Sequence, residues 1–93
     1  IVVFDVDVYG GLQIKSKLGT KALSIFIQPP SLEVLEERLR KRQTDSAQKI
    51  ELRLSKASEE MSLASGFDQV VVNDDLIQAI AEVKNHILQF ISQ

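Results

Sequence analysis

Three short runs, IVVFDVD at residues 1–7, ALSIFI at 22–27 and VVV at 70–72, are rich in β-branched and apolar residues. The longer segments between them carry apolar residues at helical spacing. This alternation constrains the fold more than any other feature. Strands joined by helical crossovers run parallel, so the predicted order β-α-β-α-α-β-α implies an α/β parallel sheet with helices on both faces. The first run is too short for a helix and too continuously apolar for an exposed strand. It is read as a strand buried on both faces.

Local signals set the boundaries. Gly10 and Gly11 are expected to break the first strand, and Leu12, Ile14 and Leu18 to carry a short helix that Gly19 ends. Pro29 and Pro30 stop the second strand, because proline has no N–H to give a ladder. Ser31 is placed to cap a helix with Leu32, Leu35 and Leu39 as its apolar stripe. Ile50, Leu52, Leu54, Ala57, Met61 and Ala64 support a longer helix that stops near Gly66. Asp74 or Asp75 caps the last helix, whose expected core positions are Leu76, Ile80, Val83, Ile87 and Ile91.

A chain of 93 residues has room for one small domain. It opens on IVVFDVDV without a methionine and reads as a portion of a longer protein. A net charge of −2 argues against broad nucleic-acid binding. The absence of cysteine excludes a disulfide framework and a thiolate metal site. No apolar run approaches the ~20 residues of a membrane span.

Ligands of open parallel sheets lie at the carboxyl ends of the strands. Those ends carry Asp5, Asp7 and Gly10, then Gln28 and Pro29, then Asn73 and Asp74. The chain also carries an arginine cluster. Arg38 and Arg42 share a helix face, Arg40 points away, and Arg53 belongs to the next helix. Two readings stay open. The arginines form a solvated face with Glu33, Glu36 and Glu37 as intrahelical partners, or they clamp a phosphate, for which the planar, always charged guanidinium is suited. Asp5 and Asp7 lie on one face of the expected strand, or serve a turn by accepting from local amides. No metal-ligand spacing and no nucleophile with a base is present, and His86 receives no role.

The ordered set DVDVYGG, FIQPPSLEVLEERLRKR, the Arg53-Leu54 pair and VVVNDDL resembles the carboxyl-terminal half of a guanylate kinase, along essentially the whole chain. Each motif is weak alone; together and in order they are specific. The resemblance implies a single partial domain over 1–93, a partial P-loop nucleoside monophosphate kinase fold with a lid at about 38–55, and transfer of the ATP γ-phosphoryl group to GMP in the cytoplasm. It implies Arg42 and Arg53 as the groups that stabilise charge on the transferring phosphoryl, and Arg38, Asn73 and Asp74 as ATP-binding residues. Asp7, Tyr9 and Gly10 would lie near GMP and the Mg²⁺ that accompanies ATP, with no direct metal ligand in this chain.

Departures from the family pattern are Tyr9 for the usual Gln, Gln43 for the usual Gly, and Ala47-Gln48 for a usual acidic pair. No G-x-x-x-x-G-K-[ST] occurs: the glycines are Gly10, Gly11, Gly19 and Gly66. The phosphate cradle and the GMP-binding segment are therefore expected outside this stretch, and the isolated chain is expected to be inactive. Two further expectations concern partners: self-association of the fragment through an exposed sheet edge, and, as the rival to an enzyme, a non-catalytic guanylate-kinase-like protein-interaction module. Retention of Arg38, Arg42, Arg53, Asn73 and Asp74 favours the enzyme.

Overall fold

The computed structural model describes residues 2–42 and 46–93. The order is α1 (Val8–Leu18), β1 (Ile25–Gln28), α2 (Leu32–Arg42), α3 (Ala47–Ser62), β2 (Gln69–Val72) and α4 (Leu76–Ile91), with short 3-10 turns at Gly19–Lys21 and Ala64–Gly66. β1 and β2 pair in parallel, with Ile25 opposite Gln69 and Gln28 opposite Val72. The α2–α3 unit is the crossover between them, so the expected parallel sheet with flanking helices is the architecture found. Val71, at the middle of β2, is fully buried, and Val8, Leu39, Ile50 and Ala79 complete the core.

Each boundary has a local cause. The Asp7 carboxylate accepts from the Gly10 amide at 2.7 Å and starts α1. Gly19 ends it at φ 55°, a conformation that L side chains seldom adopt. The Ser31 hydroxyl accepts from the Val34 amide at 3.1 Å at the start of α2. The Ser46 hydroxyl does the same for the Lys49 amide at 3.3 Å at the start of α3. Of the two candidate caps for α4, Asp75 is the one used: it accepts from Ile77 and Gln78 at 2.9 and 3.3 Å.

Three expectations fail. Residues 2–7 do not join the sheet, and Val2, Val3, Phe4 and Val6 are exposed, Val3 by 82%. A strand is held by ladder bonds and by apolar surface laid on its faces, and the described residues supply neither to this run. Gly10 and Gly11 do not end a strand but lie in the first turn of α1. The cap closes tightly on Gly10, where a Cβ would stand 3.0 Å from the Asp7 carboxylate, and Gly11 admits the Phe67 ring. Finally, the apolar stripe of α4 is largely uncovered: Leu76 is 65% exposed, Ile80 and Ile91 are also exposed, and the buried residue of the helix is Ala79. Leu76, Ile80, Val83 and Ile87 border an apolar hollow of about 410 Å³ together with Ile27 of β1. Periodicity gave the right face but not whether this chain covers it.

Candidate functional site

The carboxyl ends of the paired strands form a small polar platform. The Asn73 amide donates to the Gln28 carbonyl at 2.7 Å, carrying the ladder one step beyond β2. Because Asp75 spends its carboxylate on the start of α4, the neighbouring Asp74 is left outward and 79% exposed.

Arg38 reaches this platform from α2. Its Nη1 donates to the Asn73 backbone carbonyl at 3.1 Å, and its Nη2 stands 3.7 Å from the Asp74 carboxylate. The hydrogen bond gives direction; the exposed ion pair adds little energy. Three of the predicted site residues, separated by 35 positions, are thus brought together at the strand ends. The contact uses the main chain of Asn73.

Arg42 is the last residue of α2, and Arg53 lies one turn beyond the buried Ile50 of α3; both are exposed. The two helices pack along each other, with Leu39 and Ile50 as their buried residues. The solvated-face reading applies to other cations of α2: Arg40 pairs with Glu36 at 3.7 Å and Lys41 with Glu37 at 3.3 Å. Arg42 has Arg38, not an acid, four residues before it. Of the expected lid, residues 43–45, including the departure at Gln43, lie outside the described residues.

Asp7, Tyr9 and Gly10 gather at the start of α1, where Asp7 acts as the cap. The Tyr9 hydroxyl donates to the Glu59 carboxylate of α3. That bond, with some burial and the nearby carboxylates of Glu59, Glu60 and Asp7, raises the phenol above its usual pKa, so Tyr9 stays a donor. Among the described residues, no group of three or more His, Cys, Asp or Glu could hold a metal ion.

Sequence reasoning missed Glu59 and a polar clasp at the opposite ends of the strands. There the Asp68 carboxylate lies 2.8 Å from the Lys15 ammonium and accepts from the Ser24 amide at 2.9 Å and its hydroxyl at 3.2 Å. The Ser24 hydroxyl also accepts from the Asp68 amide at 2.9 Å, and Lys15 donates to the Ala22 carbonyl at 2.6 Å. Burial alone would push the Asp68 carboxyl up, but Lys15 and Ser24 more than offset it and hold the carboxyl below its ordinary value. No spacing rule pairs residues 44 and 53 positions apart, so neither partnership had a sequence signal. Among the described residues, no helix is long and apolar enough to cross a membrane.

Comparison with known proteins places the sequence in a family. The family described as guanylate kinase matches residues 1–90. The guanylate kinase of Bacteroides thetaiotaomicron is 52% identical over 92 residues, covering 99% of this chain and 45% of that protein. The guanylate kinase of Porphyromonas gingivalis is 48% identical over 92 residues, covering 99% of this chain and 49% of that protein. The guanylate kinase of Gloeobacter violaceus is 52% identical over 83 residues, covering 89% and 40%. The chain spans about half the length of these relatives. With a family match over nearly its whole length, and relatives about half identical to it, the chain belongs to the guanylate kinase family.

Proposed function

We propose that this chain serves as the carboxyl-terminal half of an ATP:GMP phosphotransferase, which moves the γ-phosphoryl group of MgATP to GMP and yields ADP and GDP. The observation that carries the reading is the meeting of Arg38 with Asn73 and Asp74 at the strand ends, where a parallel sheet offers its ligand site. Arg38 binds ATP phosphates from this position, and Asn73 and Asp74 flank the adenine. Arg42, the last residue of α2, and Arg53, nearly two turns into α3, stabilise the charge that spreads over the transferring phosphoryl. Asp7, Tyr9 and Gly10 border the GMP side. Mg²⁺ arrives with ATP and neutralises phosphate charge; its ligands are not supplied by this chain.

Residues 38–55 act as the lid, bringing the arginines to the nucleotide and excluding water from the γ-phosphate. The reaction belongs to purine nucleotide metabolism in the cytoplasm. The test is a coupled assay of ADP release with ATP and GMP. The full-length protein should turn over, and the purified 93-residue chain should show no activity, because it has no phosphate cradle. Robust turnover by the isolated chain overturns this division of labour.

The isolated chain also has a route to self-association. Among the described residues neither outer edge of the two-strand sheet is paired, and open edges template further pairing. Light scattering should report a dimer or larger species as concentration rises. A monomer throughout the accessible range would count against edge pairing.

A further inference from the structure

α1 forms a seat for the end of α3 and the turn that follows it. Near the start of α1 the Tyr9 hydroxyl donates to Glu59. Two residues on, Gly11 faces the Phe67 ring so closely that a Cβ would stand 3.1 Å from Cε2. Leu12 lies under Gly66, where a Cβ would come within 2.6 Å of its Cδ2. One turn later Lys15 meets Asp68 at 2.8 Å. The contacts run along α1 from Tyr9 to Lys15, with Glu59 at one end and Gly66 to Asp68 along the rest. Phe67 also packs on Phe26 of β1, with ring centroids 5.4 Å apart, so the seat is tied to the sheet.

Tyr9 and Glu59 are the members of this seat that engage α3 itself. Arg53 stands six residues before Glu59 on the same helix, about 9 Å along the axis. A helix transmits tilt, so an anchor at Glu59 restricts where Arg53 can stand. Charge stabilisation in phosphoryl transfer depends on such placement, and displacement by about 1 Å is costly.

We infer that the Tyr9–Glu59 hydrogen bond is a positioning element for Arg53, holding α3 against α1 so that its guanidinium is presented to the transferring phosphoryl group. The inference rests on the role of Arg53 proposed above. It gives Tyr9 a task different from contact with GMP. A GMP contact acts on GMP binding alone and does not involve Glu59, whereas a positioning bond acts on the chemical step and makes both partners equivalent.

The experiment uses the full-length protein. Tyr9→Phe and Glu59→Ala should each lower kcat about 3- to 10-fold, the scale of one net hydrogen bond, with KM for GMP unchanged. The double variant should lose no more than either single one. Glu59→Gln, whose amide oxygen still accepts from the phenol, should recover most of the rate. Amide hydrogen exchange over residues 53–62 should rise in Tyr9→Phe and return toward wild type in Glu59→Gln. A higher KM for GMP in Tyr9→Phe with kcat intact overturns the inference, as does additive loss in the double variant. If Arg53→Ala is crippled while Tyr9→Phe and Glu59→Ala match wild type, the positioning role fails and the phosphotransferase reading stands. If Arg53→Ala turns over normally, the role of Arg53 falls and the inference with it.

Discussion

Replacing Arg42 by alanine in the full-length protein is expected to lower kcat by about 10³- to 10⁵-fold, or about 4–7 kcal/mol of transition-state stabilisation. The charge that Arg42 is proposed to neutralise develops on the transferring phosphoryl as the bond to ADP loosens. Its loss should therefore appear in kcat far more than in KM for either nucleotide. Stability should hardly change, because Arg42 is exposed at the end of α2 and contributes nothing to the core. Arg42→Lys keeps the charge but not the planar fork and should recover only part of the rate. Steady-state kinetics with each nucleotide varied, beside urea unfolding of the same variants, checks both halves of the expectation. Unchanged turnover would remove Arg42 from the reaction and revive the interaction-module reading, in which no arginine of this set affects catalysis.

The second large effect concerns stability. Asp68→Ala should cost about 2 kcal/mol, because it removes the acceptor for the Ser24 amide and hydroxyl and leaves the partly buried Lys15 ammonium without its carboxylate. The Asp68 side chain is 33% exposed, which keeps the figure below that of a fully buried charged pair. Small domains have only about 5–15 kcal/mol in hand, so the loss is a substantial share.

The pH dependence has a definite sign. The folded carboxyl titrates below its usual value, so the unfolded chain takes up the proton first as pH falls. Its contribution is fully present above the unfolded value of about 3.9 and fades as pH drops through the lower folded value. Urea unfolding of the full-length protein between about pH 2 and 6 should show wild type losing stability across that acidic window, and Asp68→Ala losing less. Parallel curves would mean that the clasp does not titrate with folding.

The protein's local order was legible from short-range chemistry. Pro29-Pro30 after IFIQ, Gly19 after Leu18, Ser31 before α2 and the Asp74-Asp75 pair before α4 marked boundaries close to those found, whereas the caps Asp7 and Ser46 were not anticipated. Each of these signals acts within a few residues, through a missing N–H, a left-handed backbone or a side-chain acceptor. The arginines were legible as residue types in a family order. That Arg38 points toward Asn73 and Asp74, while Arg40 and Lys41 pair within their own helix, depended on how α2 lies across the strand ends.

Other features depended on neighbours far along the chain. VVFDVD has the composition of a buried strand, yet it stays exposed because the described residues provide no ladder for it. The stripe of α4 has a correct helical period, yet Leu76 and Ile80 are uncovered. Tyr9 meeting Glu59 and Lys15 meeting Asp68 are products of packing alone. Helices, turns and the parallel connection followed from residue preferences, because those act locally. Which apolar faces are covered, and which polar groups meet, was decided only in three dimensions, since burial and pairing belong to both partners at once.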